Sequence, residues 1–114
     1  MLFFRLILVA WLTVIAAYTG LVLMAEGFTL FTHFFGDIGA VGWPGQFNMD
    51  FMGFLFLSAL WVAWRHQFTG RGLLLAPIAF FGGMPFLCIY LLILLHRTGG
   101  DLRTILLGDA RAMQ

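Results

Sequence analysis

The sequence predicts an all-α integral membrane protein, with three transmembrane helices and short interfacial helices in one domain over residues 1–114. Its residues are 62% hydrophobic and only 10% charged, whereas a soluble domain is roughly half apolar and about a quarter charged. A chain of 114 residues has too little interior to bury 14 Phe and 4 Trp. Its apolar residues also gather into three runs. Lipid must therefore face most of the surface.

The first span is predicted at residues 3–25. An apolar run extends from Leu6 to Met24 with few interruptions, close to the roughly 20 residues that cross about 30 Å of hydrocarbon. A signal peptide is the alternative interpretation, but its apolar core is usually about 7 to 15 residues long. The length of the run favours a spanning helix.

The second span is predicted at residues 48–66. The apolar run from Phe51 to Trp64 covers only about 21 Å at 1.5 Å per residue. Asn48 and Asp50 extend it at its start, where side-chain oxygens and negative charge suit free backbone N–H groups. Arg65 can snorkel at the other end. Asp50 is interpreted mainly as a helix-start residue, with a proton or ligand contact as the alternative.

The third span is predicted at residues 72–96, where the run from Leu73 to Leu95 is long enough to cross. The sequence Gly82-Gly83-Met84-Pro85 interrupts this run. Proline removes the backbone hydrogen bond to the carbonyl four residues earlier. We therefore expect the helix to bend there.

Two shorter segments show helical spacing of apolar residues and are predicted to lie at the membrane surface. The first covers residues 28–35 and the second 101–107. Between the first of these and the second span, glycines from Gly36 onward predict a turn-rich stretch.

Charge gives conflicting signals about orientation. The long loop between the first two spans contains no Lys or Arg, so the positive-inside rule predicts a cytoplasmic N-terminus and a cytoplasmic loop after Arg65. Three spans then place the C-terminus outside. That puts Arg97, Arg103 and Arg111 on the wrong side for the same rule.

Polar residues at one side of this topology form a weak metal-site candidate. His33, Asp37 and His96 offer N and O ligands of the kind that zinc accepts, with Glu26 nearby. Their spacing is nonspecific, and polar residues are expected at interfaces, so no metal is predicted. A haem is disfavoured because His66 and His96 fall at opposite ends of a span.

No cofactor is predicted, although a quinone or carotenoid is possible. Aromatic rings flank the predicted break in the third span, and a cleft there could hold an isoprenoid tail. The candidate residues are Phe81, Gly82, Gly83 and Phe86.

The sequence carries no recognisable catalytic motif, and its single serine, Ser58, has no His or carboxylate at its depth. We therefore predict that the chain is not an enzyme. The scattered arginines also argue against a nucleic-acid partner.

Each span carries small residues four apart, the spacing of close helix contacts in membranes. These candidate helix-packing residues are Ala16, Gly20, Ala59, Ala63, Ala79 and Gly83. They favour a non-catalytic accessory subunit of a larger membrane complex, redox or photosynthetic, with integral membrane subunits and lipids as partners. The alternatives are a small homo-oligomeric transporter and a protein that binds a lipid-like ligand such as a quinone or carotenoid.

Three segments carry a family resemblance: residues 43–51, residues 57–65, and residues 85–92 with Pro85-Phe86-Leu87 and Tyr90-Leu91-Leu92. In combination they resemble small, uncharacterised bacterial three-helix membrane proteins. The resemblance covers most of the chain. It implies a bacterial inner membrane and brings no activity and no functional residue.

Overall fold

The computed structural model describes residues 2–113, which contain helices and no strand. The helices, in chain order, are α1 (Leu2–Glu26), α2 (Leu30–Gly39), α3 (Trp43–Arg65), α4 (Gly70–Thr98), α5 (Leu102–Leu107) and α6 (Asp109–Ala112). Helices α1, α3 and α4 are each long and apolar enough to cross a membrane. The prediction of an all-helical chain with three such helices is confirmed.

The second long helix starts earlier than predicted. Helix α3 begins at Trp43 rather than at residue 48, after an extended Gly42 and with Pro44 in its first turn. Proline suits that position because its fixed φ is already helical and its missing N–H is not needed there. The turn-rich interpretation from Gly36 was wrong, since α2 continues to Gly39.

Helix α2 packs against the first half of α3. Gly45 lies so close to the carbonyl of Asp37 that a Cβ atom would collide with it. One turn further along, the Asn48 side chain donates a hydrogen bond to the Phe34 carbonyl at 3.1 Å. Glycine at position 45 therefore allows the two backbones to meet, and Asn48 fastens α2 rather than starting a helix.

Helix α4 breaks at Gly83, which has φ 57° and ψ −141°. These angles are accessible to glycine and unfavourable for other residues. Pro85 follows two residues later and cannot donate to the Phe81 carbonyl. The predicted bend is confirmed.

The break reverses the direction of the chain. Residues 70–82, here called the outgoing arm, run from a contact between Gly72 and Ala63 to the turn at Gly83, which lies beside Phe51 and Leu55. Residues 84–98, here called the returning arm, then lead back: the rings of Tyr90 and Trp61 are 6.0 Å apart. The two arms of α4 therefore form a helical hairpin.

Helix α1 packs along the returning arm. Arg5 Nη2 donates to the Leu95 carbonyl at 3.3 Å. Leu8 is buried in a cluster that α4 and α5 complete, with Cys88, Leu94, Leu95 and Ile105. The start of α1 and the end of α4 therefore lie at the same end of the molecule.

All six arginines gather at this end, here called the arginine end. Arg65 contacts α5, Arg111 stacks on Trp64, and Arg71 and Arg97 border one cavity with Arg65. Arg103 belongs to the short helix α5. By contrast, Glu26 lies 21 residues beyond Arg5 along α1, about 30 Å away at 1.5 Å per residue.

The prediction of a C-terminus on the membrane side opposite to the N-terminus does not fit the structure, which places the end of α4 beside the start of α1. It assumed that the last long helix continues across the membrane. The reversal at Gly83 returns the chain to the end where it began.

Candidate functional site

Arg65 is a buried and hydrogen-bonded side chain at the arginine end. It is the last residue of α3 and is only 6% exposed. Its Nε donates to the Ile105 carbonyl at 2.9 Å, Nη2 donates to the Thr104 carbonyl at 3.1 Å, and Nη1 donates to the Tyr90 hydroxyl at 2.8 Å. A cation is also favourable at a helix C-terminus. Arg65 thus joins α3, the returning arm and α5.

The positive charge of Arg65 is balanced by dipoles rather than by a carboxylate. The Glu26 carboxylate lies 3.4 Å from His33 Nε2, at the end of α1 opposite to Arg5. A buried charge without a partner of opposite sign is costly. The arginine end therefore presents an environment that favours an anion.

His66 follows Arg65 and also contacts the Tyr90 hydroxyl, with 2.7 Å between His66 Nε2 and the Tyr90 oxygen. Because a guanidinium can only donate, the Tyr90 oxygen accepts from Arg65 and its own proton is available to His66 Nε2. Burial, followed by repulsion from Arg65 and Arg71, lowers the pKa of His66 below its ordinary value, and Asp109 partly opposes this shift. His66 is therefore a neutral acceptor at pH 7.

Helices α5 and α6 cover the end of α3. Trp61 Nε1 donates to the Leu106 carbonyl at 3.0 Å. The Arg111 guanidinium lies 4.1 Å from the centre of the Trp64 ring and donates to the Trp64 carbonyl. Between the two helices, Gly108 has φ 85° and touches the Arg65 carbonyl so closely that no Cβ fits. These contacts hold the buried arginine in place.

A cavity of about 780 Å³ opens beside Arg65, between the two arms of α4. This volume is within the range of small-molecule sites, roughly 300 to 1,000 Å³. Its polar border lies at the arginine end, and the walls deeper in the hairpin are apolar. The lining residues are Arg65, His66, Gln67, Arg71, Leu74, Leu75, Phe86, Ile89, Tyr90, Ile93, Leu94, Arg97, Thr98, Asp109 and Ala110.

This arrangement suits an amphiphile, a molecule with a polar head and an apolar tail. The head would meet the arginines, and the tail would lie along the leucines, isoleucines and Phe86. From Arg97 to Phe86 the returning arm covers 11 residues, about 16 Å of helix. The cavity thus has the depth for part of a lipid chain.

The weak metal candidates do not come together. His33 lies beside Glu26, and Asp37 touches the first turn of α3. His96 follows Leu95, which contacts Arg5 at the arginine end. Within residues 2–113, no group of three His, Cys, Asp or Glu side chains could hold a metal ion. His96 and Glu26 were expected on one side of the membrane, but the structure places them at opposite ends of the molecule because α4 reverses.

Of the four residues proposed for a quinone or carotenoid, only Phe86 lines the cavity. Phe81 is 71% exposed and its ring contacts Phe31. Gly83 forms the turn, and a Cβ on Gly82 would lie 2.6 Å from the Cβ of Phe86. The cavity therefore lies between the arms rather than around the break itself.

The predicted helix-packing residues divide into two groups. Ala63 and Ala79 are buried, and Ala59 is half-buried. In α1, by contrast, Ala16 is exposed, and a Cβ at Gly20 would meet nothing within 4 Å. The residues of α3 and α4 are used inside the chain, while those of α1 remain uncovered.

Sequence reasoning missed Arg65, Tyr90 and Arg97 as neighbours. A signal existed in the conflict of charges, because the positive-inside rule already opposed an external C-terminus. In the comparisons with known proteins, no family model, curated protein or solved structure matches this chain.

Proposed function

We propose that this chain is a multi-pass protein of a bacterial cytoplasmic membrane that binds a lipid-like ligand between the two arms of α4. The proposal rests on the cavity, because the cavity combines arginines at its border with apolar walls. Its site lies within one chain, between two arms of the same helix. The role is non-catalytic, as the sequence predicts.

The lengths of the two arms support a placement of α4 that does not cross the membrane. The outgoing arm has 13 residues and the returning arm 15, which give about 20 and 23 Å of helix. Neither reaches the roughly 30 Å of a hydrocarbon core. In this proposal α4 enters the membrane and returns to the same side, while α1 and α3 cross it.

Such a re-entrant turn is tolerated where protein covers its irregular backbone. Gly83 is half-buried and lies against Phe51 and Leu55 of α3, which supports this placement. With the arginine end in the cytoplasm, all six arginines obey the positive-inside rule. Glu26 and Asp37 then belong to the outer side.

Cysteine labelling tests the orientation. In a Cys88→Ala background, we introduce Gln67→Cys, Leu102→Cys and Phe28→Cys one at a time, and treat intact spheroplasts with a membrane-impermeant maleimide. We expect labelling only of the Phe28→Cys protein. Labelling of the Leu102→Cys protein from outside would contradict the hairpin topology, and disruption of the cells serves as the control for reactivity.

Ligand binding is tested by filling the cavity. Ile93 lines it, whereas Ile78 lies on α4 outside it, and both are 51% exposed. Native mass spectrometry of the full chain in detergent, with dioleoyl phosphatidylcholine as the probe, measures saturable one-to-one binding. We expect Ile93→Trp to abolish that binding and the matched control Ile78→Trp to preserve it. Equal binding by both variants would refute the proposed site.

The uncovered face of α1 favours a second candidate, the accessory subunit. Beyond Leu12, α1 is exposed except for half-buried Ile15 and Gly20, and an integral membrane partner could pack there. If gently solubilised protein migrates alone and brings no other polypeptide with it, this candidate fails. A homo-oligomeric transporter would instead migrate as a stoichiometric oligomer of this chain.

A further inference from the structure

We propose that the cavity of α4 selects lipids with an anionic phosphate headgroup, held between Arg71 of the outgoing arm and Arg97 of the returning arm. This inference rests on the proposed function and names the class of its ligand. The lipid tail would occupy the apolar depth of the hairpin, and the phosphate would lie at the arginine end.

Four charged side chains lie at the border of the cavity. Arg65, Arg71 and Arg97 supply three guanidinium groups, and Asp109 supplies a single carboxylate. His66 is neutral at pH 7, because burial and the neighbouring arginines lower its pKa. The border therefore has an excess of positive charge.

Two of these arginines are free to bind a ligand. Arg71 and Arg97 are exposed and make no hydrogen bond or ion pair within the described residues. Arg65 differs, since its donors are held by Tyr90, Thr104 and Ile105. It contributes a fixed charge, whereas Arg71 and Arg97 can form charge-assisted hydrogen bonds with phosphate oxygens.

The start of α4 also favours an anion. Arg71 is in its first turn, and the side chain of the preceding Thr69 does not cap the helix. The side chain of Thr69 donates instead to the His66 carbonyl. A helix start carries partial positive charge and attracts anions. The local backbone and the arginines thus favour the same kind of ligand.

The apolar walls distinguish a lipid from a free anion. The part of the cavity between the arginines and the turn of α4 is lined by Leu74 and Leu75 of the outgoing arm and by Ile89 and Ile93 of the returning arm. A free phosphate would leave these walls uncovered. A phospholipid satisfies both parts of the site, and a neutral quinone would use only the apolar part.

The test compares two lipids with the same chains. Native mass spectrometry of the full chain measures the affinity for dioleoyl phosphatidylglycerol, which is anionic, and for dioleoyl phosphatidylcholine, which is zwitterionic. We expect at least about a tenfold preference for the anionic lipid, which corresponds to a single strong contact. The double variant Arg71→Gln/Arg97→Gln should lose this preference and retain phosphatidylcholine binding.

Arg5→Gln provides the charge control, because it removes a cation from the same end without altering the cavity lining. It should keep the preference. Inorganic phosphate alone is the remaining arm of the test, and it should not displace the lipid at equal concentration.

The outcomes separate the two proposals. Equal binding of both lipids, or a preference that survives Arg71→Gln/Arg97→Gln, overturns the selection of an anionic headgroup and leaves the lipid-binding function standing. Displacement by equimolar inorganic phosphate identifies a free anion as the ligand and also overturns it. If neither lipid binds, both proposals are overturned.

Discussion

Replacement of Gly83 by alanine should destabilise the hairpin of α4. Gly83 has φ 57° and ψ −141°, a conformation that costs a residue with a side chain about 1 to 3 kcal/mol. The new Cβ would lie 3.4 Å from Phe51 Cζ and 3.6 Å from Leu55 Cδ2. These are near-ordinary contacts with movable side-chain ends, so backbone strain dominates.

The net effect includes the unfolded chain. Alanine also restricts the unfolded chain, which offsets roughly 0.4 to 1 kcal/mol of this strain, so we expect Gly83→Ala to lower the free energy of unfolding by up to about 2.5 kcal/mol. Gly53→Ala is the matched control. Gly53 lies inside helix α3 with nothing within 4 Å of a Cβ, so alanine should stabilise it by roughly 0.5 to 1 kcal/mol.

The assay is unfolding of the purified protein in mixed detergent micelles, followed by circular dichroism as the fraction of denaturing detergent rises. If Gly83→Ala is as stable as Gly53→Ala, the strained turn does not exist and the reasoning is refuted. Spin labels at Leu74 and Ile93 give an independent check. These positions are 19 residues apart, about 28 Å in a straight helix, so a hairpin must give a clearly shorter distance.

Three further predictions concern the arginine end and α1. Gly108→Ala should lower the melting temperature, whereas the control Gly53→Ala should not, because Gly108 has φ 85° and its Cβ would collide with the Arg65 carbonyl. His66 has a lowered pKa in the folded state, so its stabilising effect is present above pH 6.5 and declines as the pH falls through the folded pKa. Melting temperatures at pH 7.5 and 5.5 should therefore differ less in His66→Gln than in the wild type. Ala16→Leu should leave the stability of the isolated chain unchanged, since Ala16 is exposed, but should reduce recovery of any copurifying subunit. Unchanged recovery places the partner contact elsewhere.

The long helices could be predicted because the relevant physics is local. A run of apolar residues of sufficient length predicts a helix in lipid whatever its neighbours are. The break in α4 was predictable for the same reason, from Gly83 and Pro85. The start of α3 at Trp43 was also encoded, in Gly42 and Pro44, but the surrounding glycines were interpreted as turns.

The direction of α4 after its break could not be predicted from local signals. A proline predicts a bend, whereas a reversal also requires contacts that hold the returning arm. Those contacts join residues far apart in sequence: Arg65 with Tyr90, and Arg5 with Leu95. Because these contacts could not be inferred from the sequence, Arg65 and Arg97 were assigned to opposite sides of the membrane. The cavity between the two arms could therefore not be predicted.

The charge conflict in the sequence and the cavity in the structure have the same origin. If α4 crossed the membrane, Arg97 would lie on the outer side, and the positive-inside rule would be broken by half of the arginines. The hairpin removes that conflict and, by the same turn, places Arg97 beside Arg71 and Arg65. Such a concentration of positive charge next to apolar walls is favourable where anionic lipid headgroups are abundant, at the cytoplasmic surface. Orientation and ligand selection are therefore coupled: a protein that inserts with its arginine end inward also brings the α4 cavity to the leaflet that contains its proposed ligand.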